Sequence, residues 1–221
     1  MNSFFTHVFK LKDVQRFAGK SLNSNYSVGE HSFRVAALSM AIADSYNLEN
    51  PKDKVCVEKV LRKAILHDLE ESITNDIPSP VKDAIKELRD LLRVAGEKLL
   101  RELTFIDAPK PKDYLNLWIR DKKGLSGEVI TVADKLEGML SSYFEVKNGN
   151  ASLTKAFVSH LEWFGTQRGM RLLNKYSVAK NEFLDIAAFV VEQETMHKDI
   201  DAKSLRKIKK EIENHASSED E

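Results

Sequence analysis

The chain has one cysteine, Cys56, in 221 residues, so neither an internal disulfide framework nor a cysteine-rich zinc fold can hold it together. A lone thiol suits a reducing interior, and a cytoplasmic protein is expected. Long apolar runs are missing too: no stretch reaches the ~20 residues that a membrane span requires, and Met1 to Lys10 carry no apolar run or small-residue cleavage site. A soluble, unprocessed chain is expected. Neither sign of charge is in excess, because 34 basic residues balance 34 acidic ones. No global field draws the chain to a nucleic-acid polymer or an anionic membrane, so any grip on phosphate must be local. Glycine and proline are sparse, at nine and five residues, and no nucleotide-binding glycine loop, internal repeat or alternating strand pattern appears.

What is present is helical periodicity, and the fold class it predicts is all-α. Phe5, Val8, Phe9 and Val14 predict an opening helix that ends near Gly19, followed by a polar loop from Lys20 to Asn25. Val35, Leu38 and Ile42 predict a helix from Glu30 to about Tyr46, while Val57, Val60, Leu61, Ala64 and Ile65 predict another that closes at His67. Pro78 and Pro80 mark a loop over residues 75–80. A long charged helix is expected from Val81 to Thr104, with Gly96 a weak point, ended by a loop that contains Pro109 and Pro111. Further helices are expected from Glu128 to about Lys147, Leu153 to Tyr176, Asn181 to about His197 and Ala202 to Asn214, before a disordered acidic tail, Ser217 to Glu221. At this length one compact unit with an appendage is expected.

The chemistry concentrates around the His67-Asp68 dipeptide. With His31 upstream and Asp134 downstream, two nitrogens and two oxygens are on offer to one divalent ion, a mixed set that suits Mn²⁺, Fe²⁺, Co²⁺, Ni²⁺ or Zn²⁺. Four protein ligands on an ion that accepts six leave room for water and a substrate oxygen. The plainer reading makes His67 a helix cap and each acid an ion-pair partner. Glu71 lies four residues after His67, so a continuing helix would set it one turn along the same face, in reach of a water proton. Its neighbour Glu70 reads instead as an exposed helix-end glutamate. Asp76, in the proline loop, either orients an ester, supplies a proton to a leaving alkoxide, or caps the next helix. Arg16 can grip a phosphate in bidentate fashion, Phe17 can pack in the core or stack on a base, and Lys82 can meet a phosphate or water.

These residues resemble the HD-domain metal-dependent phosphohydrolases, and within them the bacterial 5′-deoxynucleotidases of the YfbR type. Three blocks carry the likeness: Arg16-Phe17 followed by Ser27-Val28-Gly29-Glu30-His31-Ser32; the run from His67-Asp68-Leu69-Glu70-Glu71 through Thr74-Asn75-Asp76-Ile77-Pro78 to Lys82; and Val132-Ala133-Asp134-Lys135-Leu136. It spans roughly residues 5–145, and Phe17 stands where that family has tryptophan. The resemblance implies an HD-domain helical bundle over residues 1–200 with additional C-terminal helices, and a charged helix and tail over 201–221. It implies His31, His67, Asp68 and Asp134 as ligands of one divalent transition metal, Glu71 and Asp76 as catalytic carboxylates, and Arg16, Phe17, Thr74 and Lys82 as substrate contacts. The implied activity converts deoxynucleoside 5′-monophosphates to deoxynucleoside and orthophosphate, in a homodimer. Two other readings stay open: a dNTP triphosphohydrolase that releases tripolyphosphate, and a metal-stabilised regulatory or binding module.

Overall fold

The computed structural model describes residues 3–192 except Asp83 and Lys86, and beyond them Arg206 and Lys210. The described residues contain no strand, only one antiparallel bridge between Gln15 and Ser27, so the chain is all-α as expected. No helix among them is long and apolar enough to cross a membrane. Two compact units emerge, one from Met1–Met40 and Cys56–Ile130, the other from Ala41–Val55 and Thr131 onward.

The first unit opens with α1 (Phe4–Lys10), whose end is a 3-10 turn at Leu11–Asp13. The helix predicted to run on to Gly19 stops here because the next residues pair elsewhere: Arg16 N–H donates to Tyr26 O at 2.8 Å and Val28 N–H to Val14 O at 2.8 Å. α2 (Val28–Glu49) then starts on a capping box. Ser27 Oγ accepts from Glu30 N–H at 3.2 Å while Glu30 Oε2 accepts from Ser27 N–H at 2.9 Å, which fixes His31 on the first turn. α3 (Val57–Leu66) leads to His67 at its C-cap, and α4 (Glu71–Thr74) and α5 (Ser79–Lys82) are single turns on either side of the proline loop.

The single helix expected from Val81 to Thr104 is instead broken: α6 occupies only Leu88–Leu99 and widens into a π turn, Leu100–Thr104. Gly96 is not a weak point but a contact, since a Cβ there would lie 3.2 Å from the Trp118 indole. Pro111 does not end structure; it occupies the first turn of α7 (Pro111–Ile119), where its missing N–H is no loss. Beneath these helices Leu11, Val14, Val28, Leu66, Leu69, Leu100, Phe105, Leu115 and Trp118 form one apolar core, with α3 packed on α7 and α1 on α4. Each such side chain contributes roughly 1.5–3 kcal/mol by leaving water.

α8 (Gly124–Lys147) runs unbroken through the unit boundary. In the second unit it is followed by α9 (Thr154–Gly165), α10 (Gln167–Leu173) and α11 (Ser177–Glu192). One helix was expected from Leu153 to Tyr176; it breaks because Thr166 turns extended and its hydroxyl accepts from Gly169 N–H, capping α10. Gly138 brings α8 against α9, since a Cβ there would lie 2.6 Å from the His160 ring. The predicted helix from Ala202 to Asn214 and the acidic tail lie outside the described residues, apart from Arg206 and Lys210.

Candidate metal centre

Two imidazoles and one carboxylate meet in the first unit. His31 Nε2 and His67 Nε2 are 3.3 Å apart, and Asp68 Oδ2 lies 3.4 Å from the first and 3.2 Å from the second. Both rings are buried, at 0% and 2% exposure. His67 Nδ1 donates to Ala64 O at 2.7 Å, which fixes its proton on that nitrogen and leaves Nε2 as a bare acceptor facing His31 and Asp68 in the neutral ring. His31 Nδ1 has the Tyr26 hydroxyl at 3.4 Å.

The donor set fits a transition-metal ion. With bonds of ~2.1 Å, ligand atoms around one ion stand roughly 3.0 Å apart in an octahedron and roughly 3.4 Å apart in a tetrahedron, which brackets the three edges observed here. The His67 bond to a backbone carbonyl is the arrangement that orients metal-bound imidazoles. Burial works against the charge of Asp68, but with the rings protonated the charge of His67 and the hydrogen bonds from both imidazoles hold its carboxyl well below the usual range.

A second cluster adjoins the first. Arg16 Nη1 lies 3.3 Å from Asp76 Oδ1 and 3.9 Å from both Asp68 Oδ2 and Glu71 Oε2. Lys82 Nζ donates to Glu71 Oε1 at 3.4 Å and stands 4.0 Å from Asp76 Oδ1. Asp76 Oδ2 accepts from the Phe17 backbone N–H at 3.2 Å. The residues on either side of that bond are conformationally costly: Phe17 has φ 53° and Asn75, just before Asp76, has φ 61°, a region that non-glycine residues seldom occupy. Glu71 is buried at 4% exposure, and its Oε2 has no hydrogen-bond partner among the described residues. Burial, then the charge on Asp68, pushes Glu71 up to about 9 against the pull of Arg16; Asp76 adds to the rise and Lys82 opposes it.

The expectation that α3 would continue through Glu71 fails. α3 ends at Leu66, and residues 67–70 form tight turns, with Leu69 N–H donating to Leu66 O and Glu71 N–H to Asp68 O. The turns nonetheless bring Glu71 and Asp68 to one guanidinium, that of Arg16. Glu70 is not the exposed helix-end residue that its position suggested. It is half-buried, its Oε2 accepts from Trp118 Nε1 at 2.7 Å, and burial together with the charge of Asp68 pushes it up to about 8. Phe17 is half-buried with its ring centroid 5.9 Å from that of Tyr26, and the Thr74 hydroxyl donates to the carbonyls of Glu70 and Asn75. Asp134 lies on α8 in the second unit, half-buried between Ala133 and Leu136. No motif pointed to Tyr26 or Trp118; only the Val14–Val28 pairing and the α6–α7 packing bring them in.

Comparison with known proteins follows the same lines. A family model described as 5′-deoxynucleotidase YfbR-like matches residues 3–171. A 5′-deoxynucleotidase of Photorhabdus temperata is 29% identical over 162 residues, 71% of this chain and 80% of that protein. One from Vibrio vulnificus is 34% identical over 106 residues, covering 45% of this chain and 53% of that protein. The crystal structure of an HD-domain phosphohydrolase from Listeria innocua superposes with a TM-score of 0.68 at 22% identity, over 96% of this chain and 97% of that one, a likeness of fold.

Proposed function

We propose a metal-dependent hydrolase of deoxynucleoside 5′-monophosphates, starting from one fact: the chain belongs to the YfbR-like 5′-deoxynucleotidase family. The observation that carries the reading is the adjacency of two clusters, the His31–His67–Asp68 triangle and the Arg16–Glu71–Asp76–Lys82 set beside it. One is built for a cation and the other for an anion. His31, His67 and Asp68 are the proposed ligands, and Asp134 is the fourth, a role supported by its place in the sequence resemblance. A divalent transition ion held there, Mn²⁺, Fe²⁺, Co²⁺, Ni²⁺ or Zn²⁺, supplies Lewis-acid activation of water and of the phosphoryl group.

The chain's own residues do the rest. The reaction adds water across the P–O5′ bond: a new O–P bond forms, the bond to the sugar oxygen breaks, and that oxygen gains a proton. Arg16 and Lys82 bind and neutralise the phosphate oxygens, Arg16 by its planar fork and Lys82 as a point charge. Asp76, held by the Phe17 N–H and by Arg16, orients the guanidinium and so the ester. Glu71, set beside Arg16 and Lys82 whose charges favour its anion, accepts the water proton and returns a proton to the leaving sugar oxygen. Phe17 and Thr74 line the sugar side, where the phenyl ring offers a stacking face without the donor of an indole. The proposal includes a homodimer, which the sequence resemblance supports, and a cytoplasmic location, which the single cysteine supports.

Purified metal-loaded protein incubated with dNMPs, NMPs and dNTPs tests the reading. Orthophosphate and deoxynucleoside from dNMPs are expected. Tripolyphosphate from dNTPs with no release from dNMPs would replace it with a triphosphohydrolase, and no product from any of them would leave only a binding or regulatory module.

A further inference from the structure

Glu71 sits in a helix only four residues long. Such a turn cannot hold its own direction, because starting a helix is unfavourable and one turn recovers little of that cost. Something outside must aim it. The two residues that flank Glu71 are each tied to a different helix. On one side Glu70 Oε2 accepts from Trp118 Nε1 of α7 at 2.7 Å; on the other, Ser72 Oγ is hydrogen-bonded to His7 Nδ1 of α1 at 2.9 Å. Both anchors are themselves held. Trp118 is 1% exposed, the Arg93 guanidinium lies 4.5 Å above its ring and donates to its carbonyl at 2.9 Å, and Gly96 leaves the space that the indole fills. His7 is buried on α1, which packs on α4.

We propose that Trp118 and His7 are positioning residues which, through Glu70 and Ser72, clamp α4 from two sides and aim the Glu71 carboxyl between Arg16 and Lys82. The inference rests on the deoxynucleotidase reading for its kinetic consequence, but the clamp itself is a statement about geometry. The Glu70 carboxyl gives little to stability, since taking a charge-bearing group out of water beside Asp68 is costly. Its use is directional: with Trp118 it fixes the residue immediately before Glu71. A misplacement of about 1 Å in a reacting group lowers rate by about a hundredfold, so a clamp of this kind acts on turnover and leaves substrate binding nearly untouched.

The test measures kcat, KM and bound metal with dAMP for the metal-loaded wild type, Trp118→Phe, Glu70→Ala, Glu70→Gln, Ser72→Ala and the Trp118→Phe/Glu71→Gln double variant. Trp118→Phe and Glu70→Ala are expected to lower kcat by about 10- to 100-fold at unchanged KM and metal content, with Ser72→Ala following in the same direction. Glu70→Gln keeps an acceptor for the indole and recovers most of the rate. In the Glu71→Gln background Trp118→Phe removes no further activity, because the clamp works only through Glu71. A full additional loss there, or wild-type kcat in both Trp118→Phe and Glu70→Ala, overturns the proposal. Glu70→Ala carries the test if Trp118→Phe does not fold. A wild type that releases no orthophosphate sinks the deoxynucleotidase reading instead, and the clamp is then decided by crystal structures of wild type and Glu70→Ala: a displaced Glu71 carboxyl supports it, an unmoved one overturns it.

Discussion

The two compact units bury different things. The first takes imidazoles, carboxylates and an ammonium out of water: His7, His31, His67, Lys63, Glu71, Asp76 and Asp121 are all buried there. The second buries mostly rings and aliphatic chains, among them Phe157, Leu161, Phe164 and Phe183, with Thr131, Glu137 and Ser142 as its buried polar residues among those described. Burying a polar group costs free energy unless it is paired, so cohesion alone would not assemble the first set. Backbone strain divides the same way, because Phe17 and Asn75, the non-glycine residues with positive φ among the described residues, both belong to the first unit. Among the described residues, the first unit buries most of the polar groups and the second mostly apolar ones.

The contrast can be broken at several points, the largest effect first. His31→Ala removes one corner of the triangle, and both bound metal and turnover should fall to background, as measured by metal analysis and phosphate release. Chelation of the wild type should do the same reversibly, with Mn²⁺ or Co²⁺ restoring the rate. Glu71→Gln should lower kcat by about 10²–10⁴-fold while metal content stays at the wild-type level; loss of metal in that variant would move Glu71 into the ligand set. In the second unit, Phe164→Ala opens a cavity against Phe183 and Trp163 and should cost about 3–5 kcal/mol of stability in denaturant unfolding, while the folded fraction keeps its metal. Asn75→Gly should be the mildest, shifting stability by less than about 1 kcal/mol and leaving kcat within a few-fold, since glycine adopts φ 61° without a Cβ penalty.

Legibility from sequence was greatest within the three blocks that carry the family likeness. His67, Asp68, Glu71 and Asp76 lie within one ten-residue run, so their spacing alone brings them together, and the helical period made the all-α class plain. Distant partners outside the three blocks stayed hidden: Trp118 is 48 residues from Glu70 and His7 is 65 from Ser72. Those pairings follow from how helices pack, which periodicity does not encode. Helix ends failed for local reasons. Thr166 reads as one more residue of an amphipathic run until its hydroxyl is seen to cap α10, and Pro111 reads as a breaker until it begins α7. Glu70 misled for a subtler reason: a glutamate at a helix end is usually solvated, and only the indole of a distant tryptophan makes burial tolerable.

On the proposed function, the buried triangle of the first unit holds the ion on which hydrolysis depends. Metal content and orthophosphate release from dAMP, measured on the same preparations of wild type and Asp68→Ala, test it most directly. One divalent ion per chain and steady phosphate release are expected in the wild type, with both absent from Asp68→Ala although it folds. Wild-type turnover in Asp68→Ala, with or without the ion, would contradict it.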